Sequence, residues 1–301
     1  MKFRWSPGMT TLNNLKHEFI NANGIKIHYV TAGKGPLVIL LHGFPEFWYT
    51  WRHQIPFLSE HFQVVAPDLR GYGDTEKPSH VSDYQPSIIA NDIVELIHAL
   101  GHDKASIVGH DWGGGIGWRI AIDHPEVVDR LIVLNCPHPV IFNRALTSNF
   151  QQIKRSWYVF FFLIPYIPEL VFKIRSKQMI KEIFRGSVIR KTTFSDEDID
   201  KYYQALAKPG AFTAALNYYR AAFLKRSRGS KSEGSNKKIS SPTLLIWGEE
   251  DKALGKELTY GMESLFTGPF TIEYIPNCSH WVNEEQPERV NQLLLQFLTK
   301  T

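Results

Sequence analysis

Gly109-His110-Asp111-Trp112-Gly113 is the stretch on which the reading of this chain turns. Before it stands Ala105-Ser106-Ile107-Val108, a short apolar run of strand type. After it, Gly113-Gly114-Gly115-Ile116-Gly117-Trp118-Arg119-Ile120 opens a helical pattern. Strand, tight turn and helix form the context of a nucleophile elbow. In such an elbow, glycines on either side let a strained residue stand bare above a sheet. The central residue here is Asp111 rather than serine. The competing explanation is a helix N-terminus that needs small residues to pack on a strand.

Working outward, the segments 17–22 and 25–31 read as two strands joined at Asn23-Gly24, a hairpin signal. Leu37-Val38-Ile39-Leu40-Leu41 is a continuous apolar run, as expected of a strand buried on both faces of a parallel sheet. Further strands are expected over 62–66, 130–134, 243–247 and 270–275. Helices are expected over 51–59, around Ile89, Ile93, Leu96 and Ile97, over 255–264, and around Val290, Leu293, Leu294, Phe297 and Leu298. From 140 to 224 the chain looks helical, aromatic-rich and free of strands. Strands alternating with helices imply a mostly parallel sheet with helices on both faces. The helical block then becomes a lid above the carboxyl ends of the strands, where open α/β sheets bind ligands. The expected division is a core over 1–137 and 239–301, with a helical cap and basic linker over 138–238.

Composition is that of an ordinary globular protein: 301 residues, 43% hydrophobic and 21% charged, with a formal net charge of +4. The excess charge is local. Residues 225–238 hold six basic residues against one acidic; the rest holds 28 against 29. That segment is rich in Ser and Gly and reads as a flexible linker, not a nucleic-acid groove. Two cysteines, Cys136 and Cys278, make no disulfide framework and fit a reducing, cytoplasmic compartment. The greasiest run, 157–172, is too short to span a bilayer and contains Pro165 and Pro168. It reads as a buried or lid segment, with peripheral membrane contact as the lesser alternative. Association as a homodimer is left open.

Three more features end strands on the same edge as Asp111. Asp251 follows Trp247-Gly248-Glu249-Glu250, His280 lies in Asn277-Cys278-Ser279-His280-Trp281, and His42-Gly43-Phe44-Pro45 follows the first parallel strand. The chain order is nucleophile, acid, histidine. With these motifs, and with Asp68-Leu69-Arg70-Gly71-Tyr72-Gly73, the sequence resembles the epoxide hydrolases of the α/β-hydrolase fold over nearly its whole length. Family members carry two cap tyrosines. Trp157-Tyr158-Val159-Phe160-Phe161-Phe162, running on to Pro165, matches the first motif, and Asn217-Tyr218-Tyr219-Arg220 matches the second. The resemblance points to Tyr158 and Tyr219, with Tyr218 as a neighbouring decoy.

The resemblance implies hydrolysis of an epoxide to a vicinal diol. A serine attacking an epoxide carbon would leave an ether; a carboxylate leaves an ester that water can cleave. Asp111, at a helix N-terminus that favours its ionised form, would become the alkyl ester while Tyr158 and Tyr219 hydrogen-bond the ring oxygen. His280, oriented by Asp251, would then activate water, and the backbone N–H groups of Phe44 and Trp112 would form the oxyanion hole. His42, Pro45, Trp48 and Phe162 are expected in the pocket, with Phe47, Trp112 and Phe160 adding aromatic surface for an apolar epoxide. The scheme calls for no cofactor and no metal. The nearest rival is a haloalkane dehalogenase with the same Asp-His-Asp set. Such enzymes commonly carry Asn where Phe44 stands, and fluoroacetate dehalogenases carry arginines just after the nucleophile, where Trp112 and Gly115 stand here. A lidded small-ligand receptor is a third reading; no member of the catalytic set is missing.

Overall fold

The computed structural model describes residues 15–224 and 237–300. Most of the stretch read as a linker, 225–236, lies outside the described residues.

Eight strands form one sheet: β1 (Lys16–Ala22), β2 (Ile25–Ala32), β3 (Leu37–Leu41), β4 (Gln63–Pro67), β5 (Ala105–His110), β6 (Val128–Leu134), β7 (Thr243–Gly248) and β8 (Phe270–Ile275), in spatial order β1-β2-β4-β3-β5-β6-β7-β8. The hairpin β1–β2 and the β2–β4 pair are antiparallel, and every pair from β4 to β8 is parallel. Asn23 and Gly24 take φ of 48° and 76°, the left-handed pair that turns a tight hairpin. The helices are α1 (Gln54–Leu58), α2 (Pro86–Ala99), α3 (Trp112–Asp123), α4 (Pro139–Ser148), α5 (Phe150–Arg155), α6 (Trp157–Phe162), α7 (Ile167–Ser187), α8 (Asp196–Leu206), α9 (Ala211–Leu224), α10 (Val282–Glu285) and α11 (Pro287–Leu298). This is the α/β-hydrolase arrangement.

Strand residues alternate between two apolar layers. Ile39, Leu41, Ile107 and Val133 pack toward α2 and α3, while Val38, Leu40, Val108 and Ile132 pack toward α1 and α11. β3 and β7 are buried along their whole length, and both are apolar throughout but for Thr243, whose hydroxyl donates to the Ser241 carbonyl, and Gly248.

Two expected helices take another form. The one over 51–59 is a 3-10 turn, Trp48–Trp51, followed by the short α1. The one over 255–264 is two 3-10 turns, Lys256–Thr259 and Glu263–Leu265. Gly261 between them sits at φ 72°, which no continuous helix accommodates.

Helices α4 to α9 occupy the chain between β6 and β7, without a strand among the described residues. They are tied to the core by buried polar contacts. Tyr49 Oη donates to Asp198 Oδ1 at 3.0 Å, and Tyr202 Oη donates to Glu284 Oε1 at 2.7 Å. Arg52 pairs with both carboxylates from below. Asp198 and Tyr202 are on α8, Glu284 is on α10, Tyr49 lies in the 3-10 turn Trp48–Trp51 and Arg52 directly follows it, so one cluster joins cap to core.

Candidate active site

Asp111 sits between β5 and α3 at φ 48°, ψ −120°, a left-handed backbone that a residue other than glycine occupies only when its surroundings impose it. The surroundings are the flanking glycines. A Cβ on Gly109 would run into the Gly113 carbonyl, and one on Gly113 into the Leu41 and His42 carbonyls. The turn can close this tightly only without those side chains, and closing it lifts the Asp111 carboxylate off the sheet.

Phe44 N–H donates to Asp111 Oδ1 at 2.9 Å, and Oδ2 faces His280 Nε2 at 3.5 Å. His280 Nδ1 lies 2.7 Å from Asp251 Oδ2. Trp112 is the first residue of α3, so its N–H belongs to the turn whose donors have no intrahelical acceptor. The Asp251 carboxylate is fully engaged. Oδ2 also accepts from Asn135 Nδ2 at 2.8 Å, and Oδ1 accepts from Ala253 and Leu254 N–H at 2.8 and 2.9 Å.

Burial alone would push the His280 imidazole down. The carboxylates of Asp251 and Asp111 overcome it and hold the pKa well above the ordinary histidine value. Burial pushes Asp111 up, but His280, His110 and the Phe44 N–H hold it below the usual carboxylate range. Asp251 is lowered against its burial in the same way, chiefly by His280. All three shifts favour the charged forms, an imidazolium facing a carboxylate on each side.

Above them the cap closes a cavity of about 550 Å³, lined by Asp111, Trp112, Tyr158 and Tyr219 together with residues of α4 such as Phe142 and of the α2 N-terminus such as Pro86. Tyr219 sits edge-on to Phe44 and Trp112, with ring centroids 5.4 and 5.1 Å away, and Tyr158 is 6.3 Å from it. Burial first and Asp111 second push both phenols up, so both stay protonated donors. Tyr218 points elsewhere and donates to the Arg70 carbonyl at 2.8 Å.

"Epoxide hydrolase 4" of Homo sapiens is 38% identical to this sequence over 285 residues, 93% of this chain and 77% of that one. A family model described as alpha/beta hydrolase fold matches residues 36–166. The chain belongs to the epoxide hydrolases of the α/β-hydrolase fold. "AB hydrolase superfamily protein YfhM" of Bacillus subtilis (strain 168) is 37% identical, over 95% of this chain and 99% of that one. A crystal structure of the Bacillus megaterium epoxide hydrolase in complex with an inhibitor superposes with a TM-score of 0.84 at 32% identity, over 94% of this chain and 100% of that chain. Epoxide hydrolase VrEH1 from Vigna radiata gives 0.84 at 29% identity, over 97% and 100%.

Four residues expected in the pocket of this epoxide hydrolase do not line the cavity. His42 is fully buried beneath the sheet edge. Its Nδ1 faces the Gly43 carbonyl at 2.9 Å and its Nε2 accepts from Leu69 N–H at 3.0 Å, so it pins two loops. Trp48 packs edge-on against His17 and Phe47. Phe162 backs Tyr219 and Phe44, with centroids at 5.1 and 5.2 Å, and Pro45 is buried behind a cis Phe44–Pro45 bond. Phe47 lies against Tyr49 and Tyr202, and Phe160 faces solvent. The cavity takes its aromatic wall from Trp112, Phe142, Tyr158, Tyr219 and Phe223 instead, and Cys136 lines it as well. One group of metal-ligand type occurs among the described residues, His28, Asp68 and Asp74, and it does not line the cavity. Asp68 is already engaged there by His28 Nδ1 at 2.7 Å and by Trp48 N–H at 3.0 Å.

Sequence reasoning missed the support beneath the site. His110 Nε2 is 2.9 Å from the His280 carbonyl, and its Nδ1 is 2.9 Å from Glu46 Oε2. A carbonyl can only accept, so Nε2 donates to it, while Nδ1 is in hydrogen-bond contact with Glu46. Burial pushes the Glu46 carboxyl up; His110, Thr50 and the Gly43 N–H bring it below its ordinary value. The pair thus ties the elbow to the histidine loop and to the Phe44 turn. His110→Gln is expected to loosen His280 and slow hydrolysis of the covalent intermediate proposed below by about 10- to 100-fold. The check is the share of enzyme carrying the adduct at steady state, which should rise, whereas simple loss of folded protein would leave it unchanged. Arg220 plays a similar part in the cap. It donates to the Phe162 carbonyl at 3.2 Å and the Ile164 carbonyl at 3.1 Å and pairs with Glu169, holding the end of α6 beside Tyr219.

Proposed function

We propose that this epoxide hydrolase works through an ester on Asp111, and that the block 138–238, a helical cap followed by a basic linker, supplies the cap over it. Oδ1 is held by the Phe44 N–H, which leaves Oδ2 as the attacking oxygen. Its bond to an epoxide carbon forms as the carbon–oxygen bond of the ring breaks. The ring oxygen takes up negative charge between Tyr158 and Tyr219, accepts a proton from one of the two phenols and remains on the alkyl group as a hydroxyl. Alkylation cancels one of the two charges that keep His280 protonated. The imidazolium then gives up its proton, by way of solvent to the phenolate left by ring opening, and becomes a base for water, which attacks the ester carbonyl. The tetrahedral oxyanion forms on Oδ1, beside the N–H groups of Phe44 and Trp112. Ester cleavage returns the carboxylate, and the diol leaves.

The observation that carries this reading is the approach of His280 Nε2 to Asp111 Oδ2 at 3.5 Å, with the far side of the ring on Asp251. Tyrosine hydroxyls suit an oxygen leaving group better than a halide. The test is a side-by-side assay of styrene oxide opening and of halide release from 1-bromobutane. Diol formation without halide release is expected. Halide release with no diol would transfer the same residues to dehalogenation.

A further inference from the structure

The cap carries an apolar face that nothing among the described residues covers. On α6, Tyr158 and Val159 line the cavity, whereas Trp157 and Phe160 are 66% and 50% exposed. The chain then runs through Ile164 and Tyr166, the latter 84% exposed, into α7. Helix α7 breaks at Ser176, where φ is 26°, so 167–175 forms a separate first half. That half is apolar on both sides. Pro168 and Phe172 point inward, with Phe172 stacked on Phe212 at 4.1 Å, while Ile167, Leu170 and Ile174 face out, Ile174 being 74% exposed. A helix with apolar side chains on its outer side as well as its inner one leaves a surface there that suits a partner.

The charge around this face says which partner. Residues 150–181 hold six basic residues and one acidic residue, Glu169, which is already paired with Arg220. Lys154, Lys173 and Lys181 are exposed, and no ion pair among the described residues engages them. The asymmetry extends to the helical part of the cap: 138–224 holds 13 basic and six acidic residues, while the core (1–137 with 239–301) holds 15 and 23. A second copy docked cap to cap would set one basic face against another. A bilayer with anionic headgroups offers apolar depth and opposite charge together. Exposed Trp and Tyr rings beside lysines are the side chains suited to that interface.

We propose that the outer face of α6 and the first half of α7 rest on an anionic lipid bilayer, with Trp157, Tyr166 and Ile174 at the acyl boundary and Lys154, Lys173 and Lys181 against the headgroups. The proposal does not depend on the reaction assigned to the cavity, and its test contains no epoxide. Full-length protein is sedimented with phosphatidylcholine vesicles containing about 30% phosphatidylserine, and with phosphatidylcholine vesicles alone. Binding to the anionic vesicles is expected to be at least about tenfold stronger and to fall in high salt. The double variant Trp157→Ser with Ile174→Ser, checked for folding by thermal melting, should lose at least about tenfold. The wild-type chain supplies a second readout. Trp157 is the one exposed tryptophan among the described residues, so brominated lipid should quench part of the fluorescence. Failure of the wild type to sediment with anionic vesicles, equal binding by the double variant, or unquenched fluorescence would each overturn the proposal. So would a dimer in solution that the double variant abolishes, since the face would then meet a second copy.

Discussion

Replacing His280 with Gln is expected to stop turnover and leave the enzyme alkylated. The first half-reaction asks nothing of the imidazole as a base, and with His280 replaced the Phe44 N–H still donates to Asp111 Oδ1 and His110 still favours the carboxylate against its burial. The second half-reaction needs a group that can take a proton from water, and an amide cannot. Steady-state turnover should fall about 10³-fold. Intact mass should rise by the mass of one substrate molecule, and digestion should place it on the peptide containing Asp111. The carboxylate of Asp251 keeps its donors from Asn135, Ala253 and Leu254 in this variant, so its loop has reason to hold its shape. Asp111→Asn is the companion control and should show neither turnover nor adduct. A His280→Gln enzyme that is inactive but carries no added mass would mean that Asp111 is not the nucleophile.

The parts of this site that were legible in the sequence are those governed by short-range rules. Strand-turn-helix around Asp111 follows from glycine spacing and apolar runs, and the ends of β7 and β8 deliver Asp251 and His280 to the same edge because parallel strands share a direction. The cap was legible only as a helical block. Helices of six residues, such as α5 and α6, carry too few turns for periodicity to show which face is inward, and the break at Ser176 has no signal in composition. That is why Phe160 was read as pocket and is exposed, while Phe142 and Phe223 line the cavity unannounced. The supporting polar groups did leave a trace. Glu46 directly follows the His42-Gly43-Phe44-Pro45 motif, and His110 directly precedes Asp111. Asn135 ends β6 at φ 41° and bridges Gly248 N–H to Asp251. Residues adjoining motifs at strand ends tend to be buried, and a buried polar side chain must find partners. That rule, applied to the positions beside each motif, would have found all three.

The tyrosine pair bears on the other half-reaction. Tyr219→Phe should slow formation of the Asp111 ester about 10²-fold, and the double variant with Tyr158→Phe about 10³-fold or more. The loss should show in single-turnover alkylation and leave ester hydrolysis nearly unchanged, because the phenols are assigned to the ring oxygen and not to the acyl carbon. Phenylalanine keeps the ring, so the packing of Tyr219 against Phe44, Trp112 and Phe162 survives and the effect isolates the hydroxyl. Both phenols are held above their ordinary pKa by burial and by the Asp111 charge, so neither should ionise across the neutral and mildly alkaline range. An alkaline decline in alkylation rate there would have to come from another group. Tyr218→Phe removes a hydroxyl of the same kind one residue away, on a phenol bound to the Arg70 carbonyl outside the cavity lining. It should cost stability and leave the alkylation rate where it was. If Tyr218→Phe slowed alkylation as much as Tyr219→Phe, the effect would belong to the packing of α9, and the epoxide oxygen would need a different donor.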